Sequence, residues 1–533
     1  MTLTAPLNGS ARNVDPDAER AADDVADAGD LGSFGYRQQL HRSIGTYGSF
    51  AAGFSFVSIL TTVFQLFAFG FAFGGPAFFW TWPIVFCGQL LVALCFAELA
   101  ARYPISGCIY QWATRLGGAL WGWVAGWLML VAQVVTVAAA AIALQIVLPA
   151  VWSGFAVFHN PTHNAVFLGS VLLVLTTIVN AVGVEWMTRI NSIGVTCELI
   201  GVVLLCIALF SRSERSPEIV LHRSPGMAGG TTYFTAFLIS SLMAAYVLVG
   251  FDSAGELSEE THNPRRTAPR TIVRAVVASG VGGAFMLLAT MMAAPSMKDG
   301  SLGDPAMGLP YVLMDRLGDV LGRIFLVDVA IAVTVCTLAI QTAATRMVFS
   351  MARDRVLPFS TSLGKVNART GTPIRPAVVV GLLAIGLLVV NVGNAQLFLA
   401  LCSVCIMLLY LAYLMVTLPL LRRRGEGWPS QIDATLPGTK LFSLGRWALP
   451  VNVGAVLWGT AMALNLGWPR AEVFGASWYL HYFPLLFLGG TLAVGAVAYV
   501  VQQSQMRSEA KELAPAPVVL PVLSGAVFAG SAE

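Results

Sequence analysis

The chain has 533 residues, of which 56% are hydrophobic and 11% charged, against about 25% charged in an average soluble domain. That deficit excludes a protein whose whole surface faces water, and a net charge of +3 is too small to hold a polyanion, which excludes nucleic acid as a partner. The apolar runs are continuous and about twice the length of the ten-residue alternating segments of a membrane β-barrel, so they read as helices that cross a lipid bilayer.

Residues 1–44 are polar, with an acidic stretch from Asp15 to Asp30. They contain no apolar core flanked by a cleavage site, and read as a disordered cytoplasmic tail without a secretory signal. No Asp, Glu, Lys, Arg or His occurs between Arg42 and Glu98, an interval long enough for two spans of about 20 residues. Hydropathy predicts twelve spans, at 47–74, 78–101, 118–150, 165–184, 190–211, 232–260, 271–294, 319–350, 374–392, 395–421, 447–468 and 478–502. With the N-terminus inside, 24 of the 31 Lys and Arg residues fall on the inner side. The others, Arg212, Arg215, Arg223, Lys298, Arg316, Arg323 and Arg470, fall outside. This bias predicts a multi-pass protein of the cell membrane with both termini cytoplasmic. It divides the chain into the tail, a core over 45–421, a cytoplasmic loop over 422–446, two more helices within 447–505 and a flexible tail over 506–533.

Two spans carry interruptions. The first has Gly53, Ser55, Ser58, Thr61 and Thr62, then ends at Gly74-Gly75-Pro76; the sixth has Gly250-Phe251-Asp252-Ser253-Ala254-Gly255-Glu256. Interrupted helices at matching positions of two halves point to a transporter site. An unwound stretch frees N–H groups for a carboxylate and carbonyls for an ammonium or metal ion, and an α-amino acid carries both charges. Glycine and serine can equally serve close helix packing. Asp252 either meets a substrate ammonium or caps the half-helix beginning near Ser253.

Four motifs resemble the amino acid–polyamine–organocation superfamily, nearest its amino acid/choline branch. They are Gly74-Gly75-Pro76; Glu98-Leu99 with Pro104, Ser106-Gly107 and Tyr110; Glu259-Glu260-Thr261-His262-Asn263-Pro264 with Pro269; and Thr345-Arg346 with Ala352-Arg353-Asp354 and Leu357-Pro358. The second departs from the family's usual pair of glycines, having Gly107-Cys108. The resemblance spans roughly residues 40–505. It implies an all-α fold of twelve transmembrane helices, five repeated inverted as five more, plus two at the C-terminal end. It also implies alternating access around a site at Ser58, Ile59, Leu60, Thr61 and Thr62 in the first helix. In the sixth, the site would include Val249, Gly250, Phe251, Asp252 and Ser253, with Tyr246 as an aromatic gate or a packing aromatic. Thr188-Arg189-Ile190-Asn191-Ser192-Ile193 resembles the start of the fifth helix. Ten residues after Thr188, sodium-independent members often have a lysine in the place of a sodium ion; this chain has Glu198. A carboxylate there can ligate a cation, carry a proton, or stay neutral and hydrogen-bonded to a neighbouring helix. An ionised acid alone at that depth costs about 2.5–3.5 kcal/mol on insertion scales.

Among other charges, Asp328 either faces a vestibule or pairs with Arg323. Glu98, Glu259 and Glu260 either bridge to inner arginines or cap helices in water. Arg265, Arg266, Arg270 and Arg274 form a basic loop. Trp80, Trp82, Trp121, Trp123 and Trp127 read as interface anchors. The eight cysteines lie in or beside apolar runs and read as packing residues, and Cys402-x-x-Cys405 has no partners for a metal site.

The leading expectation is a secondary transporter of an amino acid or related small amine, driven by protons or sodium ions or run as an exchanger, with no cofactor and no resident metal. Alternatives are a carrier of a choline- or polyamine-type cation and a nutrient sensor on the same fold. An ATP-driven pump is excluded by the lack of a phosphate-binding loop. A catalytic role is set aside because the six histidines are scattered and no catalytic elbow or zinc motif occurs.

Overall fold

A computed structural model describes residues 16–513 apart from 224–231, 298–299, 305–306, 391–394, 430–440 and 476. Among these residues the chain is helical, without strands; the lone β-bridge joins Ile44 to Thr261. Ten helical segments are long and apolar enough to cross a membrane, and two shorter apolar helices, Tyr233–Val247 and Ile374–Val390, accompany them.

In chain order the helices used below are α1 (Pro16–Ser33), α2 (Thr46–Val57), α3 (Ile59–Gly74), α4 (Thr81–Arg102) and α5 (Cys108–Gly117). They continue with α6 (Ala119–Ile142), α7 (Pro161–Val182), α8 (Val184–Ser211), α9 (Tyr233–Val247) and α10 (Ser253–Glu256). The remainder are α11 (Pro264–Ala293), α12 (Gly308–Arg353), α13 (Ile374–Val390), α14 (Ala395–Gly425), α15 (Ala448–Gly467) and α16 (Phe483–Leu513). Helices α2 and α3 are one span broken at Ser58; α9 and α10 are another, broken over 248–252. Helix α12 bends at Gly318, whose φ is +72°.

Several boundaries differ from expectation. Residues 185–189, expected as a loop, lie inside α8. Gly183 is the break, and Glu185 and Arg189 pair at 2.6 Å one turn apart, a spacing that supports helix. Helix α16 runs on to Leu513, into the expected tail.

The N-terminal segment departs further. Residues 1–15 lie outside the described residues, but Pro16–Ser33 form helix α1 where acidic composition suggested disorder. The acids have partners distant in sequence. Asp24 meets His262 at 2.8 Å, Asp27 takes the Asn263 N–H at 2.9 Å and Arg42 at 3.2 Å, and Asp30 takes Arg265 at 2.6 Å. Tyr36, under the Arg353 guanidinium at 4.0 Å, donates to Asp354 at 3.0 Å. Burial, then the Asp354 charge, holds its phenol above the ordinary value, so it stays a donor.

The same end of the bundle carries the three acids left open by the sequence, and all are paired. Glu98 bonds Arg424 at 2.5 Å, Glu259 bonds Arg353 at 2.8 and 2.9 Å, and Glu260 bonds Arg346 at 2.9 Å. The Arg346 and Glu260 side chains are 1% and 0% exposed. Removing one charge from such a pair strands the other in low dielectric, at about 3–5 kcal/mol. Glu260→Gln is therefore expected to lower the melting temperature of the solubilised protein by several degrees; an unchanged melting temperature would show that the pair does not hold this end together.

The tryptophans act as donors between elements. The indole N–H of Trp82 bonds Gly280 O on α11 at 2.7 Å, that of Trp121 bonds Met415 O on α14 at 2.7 Å, and that of Trp127 bonds Thr491 O on α16 at 2.8 Å. Trp80 and Trp123 likewise donate to the carbonyls of Val220 and Val356. An indole N–H shielded from water needs an acceptor, and each of these joins two elements; Trp80 is nevertheless 44% exposed. No disulfide joins the described cysteines; Cys405 is buried, and the side chain of Cys402 lies outside the described residues.

Candidate functional site

The two breaks lie against each other. Ser58 has φ +36° and ψ 94°, conformations that end α2 and restart the chain as α3. Its Oγ accepts from the Thr61 N–H at 3.4 Å and donates to Thr61 Oγ1 at 2.7 Å, while Thr62 Oγ1 donates to Ser58 O at 2.6 Å. Across from it, Gly250 has φ +88°, and a Cβ there would come within 1.7 Å of the Phe56 ring. Only glycine lets the backbone of the sixth span approach the first so closely. Ser253 Oγ donates to Ala52 O at 3.1 Å, and Gly53 faces Ala254, so α10 runs beside α2.

Glu198 on α8 completes the first break. Its Oε1 accepts from Ser58 Oγ at 2.9 Å and from the Leu60 N–H at 3.1 Å, which puts a carboxyl at the start of α3, where the helix dipole favours negative charge. Its Oε2 is buried and has no partner among the described residues, and the same holds for Asp328 Oδ2 on α12. One turn along α8 from Glu198, the Asp328 carboxyl fills the space that a Cβ at Gly201 would take. Asp328 does not pair with Arg323, which bonds Asp319 instead at 3.4 Å. Two acids with unsatisfied oxygens thus share one stretch between α8 and α12.

Of the two roles weighed for Asp252, the structure speaks to the cap alone. Asp252 does not cap α10. Its Oδ1 accepts the Tyr413 hydroxyl of α14, and the tyrosine's hydroxyl oxygen in turn accepts the Gly250 N–H at 2.9 Å. Tyr413 thereby braces the unwound segment, and its ring packs on Phe251 and Phe96. The other expected residues are brought together unevenly. Leu60, Thr61 and Thr62 join the hydrogen-bonded break, Val249 and Phe251 are buried at the second break, and Tyr246 is buried one turn before it. The Ile59 side chain turns away toward Gly282 on α11. Residues 58–62 and 247–260 are all buried, so neither break is open to water. Tyr413, Cys108 and Glu256 are additions. The tyrosine gave no signal in its apolar run, the acid one turn after Asp252 was visible without a role, and Cys108 was read with the other cysteines as a packing residue.

A bundle of membrane-length helices with two interrupted spans meeting inside it, closed at one end by buried ion pairs, has the build of a solute carrier. The amino acid permease family model matches residues 42–492. The amino-acid permease BAT1 homolog of Oryza sativa subsp. japonica is 27% identical over 482 residues, 86% of this chain and 91% of the relative. Amino-acid permease BAT1 of Arabidopsis thaliana is 27% identical over 87% of this chain and 93% of its own. Amino-acid permease 2 of Neurospora crassa is 26% identical over 82% and 81%. The chain belongs to the amino acid permease family. It is a multi-pass membrane transporter, not an enzyme, as the resemblance to the amino acid–polyamine–organocation superfamily implied.

Proposed function

We propose that this permease is a secondary active transporter that moves an amino acid or related small amine by alternating access around the breaks at 58–62 and 249–253. The observation that carries the reading is the contact of the two breaks through Gly250 and Phe56. Close contact lets one rigid half-helix move with the other, as alternating access requires. The solute's carboxylate would take N–H groups at the start of α3 and its ammonium the carbonyls released where α9 ends. Glu198, with Asp328 beside it, would hold the coupling cation, a proton or a sodium ion. The proposed topology is twelve spans, with five plus five helices in inverted repeat and two more at the C-terminal end. It places the protein in the cell membrane with both termini cytoplasmic, so the end bearing α1 and the buried ion pairs is the inner gate.

Thermal stabilisation of the purified protein against a panel of amino acids, choline and polyamines tests the substrate class, because a ligand of the folded state alone raises stability by mass action. Stabilisation by an amino acid, rising with sodium or with a change of pH, is the expected result and would name the coupling ion. Stabilisation by choline or polyamines alone would replace the amino acid with an organic cation. No response to any member would remove the substrate reading.

A further inference from the structure

At the inner side of the second break lies a group the transport reading does not use. Cys108 at the start of α5 and Asp252 and Glu256 at either end of α10 each offer a ligand atom; the three atoms lie within 4.8 Å of one another, and all three residues are buried. Cys108 Sγ is 3.5 Å from Glu256 Oε1 and 4.0 Å from Asp252 Oδ2. Tyr413 occupies the other Asp252 oxygen. Glu256 Oε2, on a fully buried side chain, has no hydrogen-bond partner among the described residues. A buried carboxyl with an empty acceptor is costly unless something positive reaches it. No Lys, Arg or His is bonded to any of the three among the described residues.

The spacings fit a metal ion. Tetrahedral zinc, with bonds of about 2.3 Å to sulfur and about 2.0 Å to oxygen, sets sulfur and oxygen ligands about 3.5 Å apart. The Sγ to Glu256 Oε1 distance of 3.5 Å matches such an edge, the Sγ to Asp252 Oδ2 distance of 4.0 Å exceeds it, and with all three atoms within 4.8 Å the side chains would draw in on a bound ion. The donor set, one thiol and two carboxyls, suits zinc-like ions and not sodium or magnesium, which prefer oxygen alone.

We propose that Cys108, Asp252 and Glu256 form a binding site for a zinc-like divalent transition-metal ion, with its fourth position open, that clamps α10 to α5. An ion seated there bridges the moving half of the sixth span to the short helix beside it, so it holds the inner end shut and slows transport.

The test uses full-length purified protein freed of metal by chelation. Titration with Co2+ is expected to give one equivalent of a thiolate-to-metal absorption band that Zn2+ abolishes, and micromolar Zn2+ is expected to slow solute counterflow in proteoliposomes. Cys108→Ser and Glu256→Gln, each melting as wild type without metal, should weaken Zn2+ binding by about a hundredfold or more, the upper range for losing even an outer partner, and relieve the inhibition. Absence of the band in wild type, or its persistence in Cys108→Ser, would overturn the proposal. If Cys108→Ser fails to fold, Cys108→Ala, which also removes the sulfur ligand, carries the same comparison. The Co2+ signal needs no substrate, so its failure is distinct from failure of the transport reading.

Discussion

Glu198→Gln is expected to bind solute and exchange it, yet fail to concentrate it against a gradient. Glutamine keeps an amide oxygen where Oε1 accepts from Ser58 Oγ and the Leu60 N–H, so the first break should retain its shape. It cannot take up a proton, and it offers a cation no charge. At 100 mV, one charge moved with each solute supplies about 2.3 kcal/mol, enough for about a fiftyfold concentration ratio. Reconstituted wild-type protein under an imposed proton or sodium gradient should approach that ratio, and the variant should stay near unity while counterflow of labelled solute continues. Undiminished accumulation in the variant would sink the coupling role. Loss of counterflow as well would assign Glu198 to holding the break together. Asp328 makes this arrangement more than a local cap, because a second unsatisfied acid one turn away raises the cost of an empty ionised pair and so favours an arriving cation.

What the sequence revealed and what it hid divide by range. Helices of apolar composition are written locally, and so were the breaks, since Ser58 and Gly250-Phe251-Asp252 interrupt otherwise continuous runs. Glu198 was legible because an acid in an apolar helix has no cheap structural reason to be there. Partners were not legible. Tyr413 sits in a run of leucines and gave no signal, yet its hydroxyl bonds the Asp252 carboxyl. Arg323 was the nearest base to Asp328 along the chain, but Asp319 lies at the helical spacing that an arginine reaches. Helix α1 read as disordered because its acids were seen without Arg42, His262 and Arg265, two of which lie more than 200 residues away. Disorder rules weigh a segment's own composition, and a docked helix draws its stability from a surface elsewhere.

Gly250→Ala is expected to damage both stability and transport, for two separable reasons. A left-handed backbone costs a residue with a Cβ about 1–2 kcal/mol, and φ here is +88°. The added methyl would also meet the Phe56 ring at 1.7 Å, an overlap that forces one break away from the other, and overpacking of this kind costs about 1–3 kcal/mol. Phe56 has little room to yield, since it is buried and its carbonyl accepts from Cys336 Sγ at 3.7 Å. The variant should melt several degrees lower and show little solute flux. Adding Phe56→Ala to Gly250→Ala separates the terms, because it removes the collision and leaves the backbone strain. Partial recovery of flux in the double variant, beyond the sum of the single effects, would show that the contact between the breaks is what transport needs. A Gly250→Ala protein that transports as wild type would mean that the breaks move independently, and alternating access built on their contact would fall with it.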